Sequence, residues 1–246
     1  MKRGYDNGNF DVPVGKRVYR AIEKKKGYIK RQPVMLVRAP LATRGFYPRS
    51  SSLGRRELKT IDALEVRINP VTGLAAPTFA LLNGVATGDD FNSRDGRQIV
   101  IKSIYFRADL QPYGNTMSYG DTVRCMIVQD TQPNGVIFTV GDLFTATTNT
   151  YGSVAMNNLN NRSRFKVLMD KQVSMDPAIY AASVLTGGNP STKTIKKFIK
   201  CHIPVQYSGT GATIASIATN SLYLVVFSDN QLVDFRSSTR VRFVDV

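Results

Sequence analysis

Fifteen cationic side chains crowd the first 56 residues: Lys2, Arg3, Lys16, Arg17, Arg20, Lys24, Lys25, Lys26, Lys30, Arg31, Arg38, Arg44, Arg49, Arg55 and Arg56. Only Asp6, Asp11 and Glu23 oppose them, a net of +12, whereas residues 57–246 carry 18 Lys/Arg against 15 acids, a net of +3. A polycation joined to a nearly neutral domain points to a polyanionic partner. Lys and Arg neutralise phosphates and release condensed counterions, so binding of this kind is sequence-tolerant and salt-sensitive. Arg adds bidentate contacts and base stacking. Tyr5, Phe10, Tyr19 and Tyr28 lie among the charges, where aromatic rings can stack on unpaired bases. A solubilising tail is the plainer explanation, but so dense a charge favours nucleic-acid binding. Lys16-Arg17 and Lys24-Lys25-Lys26 also suit a nuclear import signal, making a nuclear import receptor a candidate partner.

Other chemistry is sparse. With a single histidine, His202, no Ser-His-Asp or Cys-His assembly is expected, which makes catalysis the weakest expectation without eliminating it. Cys201 adjoins His202, and neighbouring strand residues face opposite ways; with no further ligand pair at metal spacing, no metal site or cofactor is expected. Cys125 and Cys201 read as small core hydrophobes rather than a disulfide framework. Asp89, Asp90 and Asp95 share a loop that could hold a hard cation, though such loops are more often solvated turns. Lys196 and Lys200 share one strand face, as do Arg240 and Arg242; they suit a genome contact, an exposed surface or a salt bridge equally. No apolar run is long enough to span a bilayer, and the start shows no secretory pattern, so membrane insertion is not expected.

The elements that must carry these groups fall into two parts. Residues 1–56 form a basic N-terminal arm, largely extended or disordered, with Pro33, Pro40, Pro48 and Ser50-Ser51-Ser52 as linker. Val18–Lys26, closed by Gly27, is compatible with a short helix whose Val18 and Ile22 share a face, marginal in isolation. From Glu57 the period becomes two. Leu58, Leu64, Val66 and Ile68 share one parity. In 99–110, Val100, Ile104, Phe106, Ala108 and Leu110 share a face with Lys102 as the exception. In 122–129, Val123, Cys125 and Ile127 alternate with Thr122, Arg124 and Met126. Further strands are expected at 164–171, 194–207, 220–228 and 239–246. Asp176-Pro177 reads as the opening of a short helix over Ala178–Ala182, and 140–147 as a second. Residues 57–246 thus suggest an all-β antiparallel sandwich, for which jelly-roll and immunoglobulin-like topologies both remain open.

Three patches are more specific: Glu57–Asp62 after Arg55-Arg56, Asn92-Ser93-Arg94-Asp95-Gly96-Arg97-Gln98-Ile99-Val100-Ile101-Lys102-Ser103-Ile104, and Asn161–Lys171. In this order, behind a basic arm, they resemble the capsid proteins of circular Rep-encoding single-stranded DNA viruses. The layout is similar to geminivirus coat proteins and to the satellite tobacco necrosis virus capsid. The resemblance spans about residues 16–246 and implies a single eight-stranded jelly roll, a homo-oligomer of sixty copies in a small icosahedral shell, and an arm facing a packaged genome. It suggests an arm helix around a symmetry axis, against which a disordered arm remains the simpler alternative. Within the patch, Gly96 is expected to permit a tight turn and Arg94 to pin a loop by hydrogen bonds. Phosphate contacts do not read sugar identity, so single-stranded DNA as partner rests on the resemblance alone. One departure stands out: the longer geminivirus arm carries a zinc-finger-like Cys/His set that this arm lacks. The alternative is a cellular nucleic-acid-binding β-domain with a basic tail.

Overall fold

The computed structural model describes residues 57–69, 71–113, 116–117, 119–145, 152–181, 184–188 and 192–246. The arm, its fifteen cations and the helix expected at Val18–Lys26 lie outside the described residues.

Strands dominate, as the alternation predicts: β1 (Leu58–Ile68), β2 (Thr78–Leu81), β3 (Gln98–Pro112), β4 (Thr116–Met117), β5 (Asp121–Asp130), β6 (Phe165–Met175), β7 (Ala178–Ala181), β8 (Val184–Gly188), β9 (Lys193–Tyr207), β10 (Ile217–Thr219), β11 (Ser221–Ser228) and β12 (Val233–Asp245), with one short α-helix among the described residues, α1 (Val140–Leu143), and three single-turn 3-10 helices. A five-stranded sheet runs β1-β12-β3-β9-β10 and a four-stranded sheet runs β2-β11-β5-β6. All their pairings are antiparallel. The chain winds repeatedly from one sheet to the other, and its first and last strands, β1 and β12, end as neighbours. That winding is the jelly roll rather than the immunoglobulin alternative. Among the described residues no helix is long and apolar enough to cross a membrane.

The inward residues of both sheets make one core, with Ile104, Phe106, Leu110, Phe235 and Phe243 facing Cys125, Ile127, Leu222, Leu224 and Val226. Two bulges change the expected facing. Ala63 pairs with Thr239 but Val66 with Ser237, so β1 carries one extra residue and its inward parity switches. Ile61 and Ala63 pack inward before the bulge, Val66 and Ile68 after it, and Leu58, expected inside, is exposed. On β3, Ser103 pairs with Arg242 while Ile101 pairs with Phe243, so Lys102 is the bulged residue. That accounts for its exceptional place. It also puts Ile99 and Ile101 in the core in place of Val100.

The four-stranded sheet departs further from a one-sided pattern. Every residue of β11 is buried, and Met126 and Val128 of β5 are as buried as Cys125 and Ile127. The segment between β5 and β6 covers the outer face. Phe138 lies edge-on to Phe79, Phe165 and Tyr223 at centroid distances of 5.1, 4.8 and 5.2 Å, with Leu143, Phe144 and Ala155 completing a second cluster. Polar straps hold this cover. Arg124 donates to both carboxylate oxygens of Asp170 (2.9 and 2.6 Å) and to the Ala155 carbonyl (2.6 Å). Ser153 donates to Asp229 through its N–H (2.9 Å) and its hydroxyl (2.6 Å). Gly152 lies against the Phe227 ring, where a Cβ would come within 2.5 Å of a ring carbon.

Two further expectations change. Asp176-Pro177 opens no helix: Ala178–Ala181 is a strand, paired with β4 and β8. A one- or two-turn helix is marginal, whereas a hairpin satisfies the same backbone groups. Gly96 needs no special conformation, since its φ is not positive and a Cβ there meets nothing closer than 3.8 Å. The expected helix at 140–147 is found as the shorter α1 within the described residues.

Arg94 does pin its loop. It is 1% exposed, donates through Nε to the Val85 carbonyl (3.0 Å) and through its terminal nitrogens to the carbonyls of Gly96 and Gly209, and lies 4.2 Å from the Tyr207 ring centroid. Arg94→Ala strips the donor from three carbonyls at once and should cost roughly 3 kcal/mol or more. Urea unfolding of the variant against the unsubstituted chain checks this, and Arg94→Lys, which keeps charge but not the fork, should recover little.

Burial lifts the Cys125 thiol to about 12, with the Asp170 carboxylate adding to the effect. A thiol raised in the folded state contributes stability that is full below its unfolded value and is lost as pH climbs through the folded one. Between about pH 8 and about pH 10.5, the chain should therefore lose about 2 kcal/mol more than Cys125→Ala. Unfolding free energies measured across that window are the check.

Candidate nucleic-acid interface

Directly paired residues of an antiparallel sheet share a face, and the register of the five-stranded sheet lines up a cationic surface on the side away from the core. One row is Thr60–Arg242–Ser103–Lys200, the next Asp62–Arg240–Tyr105–Phe198. Ser238–Arg107–Lys196 follows, then Arg67–Arg236–Asp109–Thr194. The pairs Lys196/Lys200 and Arg240/Arg242, each seen in the sequence to share a face, thus meet on one surface. Arg67, Arg107, Arg236, Tyr105 and Phe198 join them. The outward parity of Tyr105 and Arg107 was visible beside Ile104, Phe106 and Ala108, but the juxtaposition of all these residues depends on strand pairing that no local pattern reveals.

The acids on this face are engaged. Asp62 accepts both Arg240 donors at 2.6 Å, and that contact holds its carboxyl below the usual range. Asp109 accepts from the Thr194 hydroxyl at 2.8 Å. Asp234 accepts from Gln111 (2.9 Å) and lies 3.2 Å from Arg236 and 3.7 Å from Arg67. Arg107, Lys196, Lys200 and Arg242 form no ion pair among the described residues. The lysines of β9 have a second use. Over residues 193–203 this strand is a sheet edge, because β10 pairs only at Gln206 and Tyr207, and edge lysines oppose strand addition.

Shallow concavities lie between the rows. One of about 200 Å³ is lined by Asp62, Tyr105, Arg107, Ser238 and Arg240, and one of about 290 Å³ by Arg107, Asp109, Arg236 and Ser238 among others. Neither is an enclosed pocket for a small molecule; both belong to an extended, cation-rimmed surface.

The remaining candidates resolve differently. His202 Nδ1 lies 3.2 Å from Lys102 Nζ on the exposed side, while Cys201 points inward at the Ile101 carbonyl, the opposed facing expected of neighbours. Asp95 is taken by Lys59 at 2.8 Å, which also lies 3.2 Å from Asp245. No group of three or more His, Cys, Asp or Glu side chains among the described residues is placed to share a metal ion.

Residues 16–246 match the model of the geminivirus coat protein/nuclear export factor BR1 family. The chain belongs to that family. It is a viral coat protein, and its place is the virion. No curated protein matches the chain. Membership agrees with the resemblance carried by the patch Asn92–Ile104. In the coat protein that patch supplies the buried Arg94 anchor and the first half of β3, whose second half brings Tyr105 and Arg107 to the cationic face.

Proposed function

We propose that this coat protein assembles into a small icosahedral shell, of sixty copies, and packages a single-stranded DNA genome. The observation that carries the proposal is the charge asymmetry: +12 of the +15 net charge precedes residue 57, ahead of a jelly roll that, among the described residues, leaves one sheet face open and cationic. Sixty such arms would offset on the order of 700 phosphates, with mobile cations neutralising the rest. In this scheme the arm cations Lys2 to Arg56 bind phosphate without regard to sequence, and the sheet face extends the contact. Self-association has its own support. Val136, Val154, Met156 and Leu159 leave large apolar side chains exposed on the segment that covers the four-stranded sheet, as a surface does when it is covered by another chain. Lys16-Arg17 and Lys24-Lys25-Lys26 would serve host nuclear import before assembly. The work of the protein is structural rather than catalytic.

Expression of the full chain should yield particles visible by electron microscopy that hold nuclease-protected nucleic acid, digestible by DNase after extraction. Removal of residues 1–56 should abolish that protection. A full-length chain that stays monomeric at every salt concentration, with and without nucleic acid, would overturn the proposal.

The contribution of the sheet face is separable. Lys196→Gln with Lys200→Gln should lower the slope of log affinity against log salt for single-stranded DNA by about 1.4, roughly 0.7 for each phosphate no longer neutralised. An unchanged slope would remove the face from the interface and leave the arm alone.

A further inference from the structure

We infer that Tyr105 and Phe198 form a stacking platform for unpaired bases, which makes the open sheet face select single strands over duplex; this rests on the proposal that the protein packages nucleic acid.

The two residues are direct register partners across β3 and β9, a relation that puts their Cβ atoms about 4.5–5.5 Å apart. They are 38% and 56% exposed. Ile104 and Phe106 on either side of Tyr105 are fully buried, so this aromatic pair occupies the solvent-facing positions that an alternating strand ordinarily gives to polar residues. Cations bracket it: Arg107 two residues along β3, Lys196 and Lys200 two residues either side of Phe198, and Arg240 opposite Tyr105. Residues two apart on a strand repeat at about 6.6–6.8 Å, a step comparable to that between phosphates of an extended single strand. Tyr105 also walls the concavity that holds Arg107 and Ser238, so a ring surface and polar donors converge on the same space.

The charges decide between a nucleic acid and a protein surface. An apolar protein contact over Tyr105 and Phe198 would draw Arg107, Lys196 and Lys200 out of water, three cations with Asp109 alone among the acids of this face outside an ion pair, a costly desolvation. A single strand meets both demands together, with phosphates for the cations and flat base faces for the rings. A duplex presents the phosphates but keeps its base faces stacked internally.

The chain has no tryptophan, so Phe198→Trp in the full-length protein is a single local reporter. It should be titrated with oligo(dT), an abasic sugar-phosphate strand and a duplex, at equal phosphate concentration. Indole fluorescence should be quenched by oligo(dT) and little changed by the other two. The double variant Tyr105→Ala/Phe198→Ala, checked for native circular dichroism, should bind oligo(dT) about ten-fold more weakly while holding the abasic strand as before. Binding of all three strands with an unquenched indole would overturn the platform and leave packaging intact. Loss of particles in the double variant, with the indole unquenched, would assign the pair to a subunit contact and also overturn it. Failure of the full-length chain to bind any strand would overturn both proposals.

Discussion

The Arg94 guanidinium is the interaction on which the ordered arrangement of this jelly roll turns. A charge withdrawn from water must have its donors satisfied, and these donors reach carbonyls at Val85, Gly96 and Gly209, in the connections before β3 and after β9. Tyr207, beneath the guanidinium, donates its hydroxyl proton to the Asn83 carbonyl, and the Asn83 side chain accepts from the Leu222 N–H. One cluster therefore fixes the start of β3, the end of β9 and the start of β11, across both sheets. Everything downstream on β3 inherits that origin. A slip of one residue would turn Tyr105 and Arg107 inward and Phe106 outward. The buried arginine thus fixes where the exposed cations stand.

The two sheets bury the same kind of inner face but treat their outer faces oppositely. The four-stranded sheet is capped by the segment after β5, with Phe138 and Phe144 packed on it and Arg124, Arg164 and Asp229 strapping it down. Its central strands, β11 and β5, are buried on both faces in consequence. The five-stranded sheet has no such cover among the described residues, so its outward positions must be water-compatible, and Lys and Arg are the commonest residues there. A domain near neutrality by count still presents one strongly positive surface, because several of its acids are spent inside ion pairs: Asp130 with Arg164, Asp170 with Arg124, Asp95 and Asp245 around Lys59. Net charge says little about a face; pairing decides it.

What could be read from the sequence follows the same division between local and non-local properties. Alternation and charge are local, so the principal strands, the arm cations and the anchoring role of Arg94 were all visible. Bulges are not. Lys102 looked like an intruder in an apolar row until its pairing showed that the row changes parity there, and Leu58 was misplaced for the same reason on β1. Asp176-Pro177 carries a real helix-start chemistry, yet a short helix there loses to a hairpin with β4 and β8 as partners. The glycines were equally deceptive. Gly96 drew notice inside a distinctive patch, whereas the packing requires Gly152, against Phe227, and Gly84, against the Ala212 carbonyl. Arg67, Arg107 and Arg236 could not be joined to Lys196 from sequence, because only register places Arg107 in its row and the other two in the next.

Arm and sheet face also differ in what each can discriminate. A chain segment rich in Lys and Arg holds any polyanion, by an attraction that depends on charge density and weakens steeply with salt. It cannot prefer a single strand on electrostatic grounds, since a duplex offers more phosphate per unit length. A rigid sheet could, because its pleat holds cations at a fixed spacing and, on the platform proposed above, leaves between them ring faces that an unstacked base would cover. Stacking is weak in each instance and tolerant of base identity, which would suit a surface that has to accept every stretch of a packaged genome. In the proposed shell, a modest preference at each copy would become a strong preference for the whole strand, because the copies would bind one continuous molecule. Selectivity for single strands then requires no sequence readout, only aromatic side chains held in register among the cations.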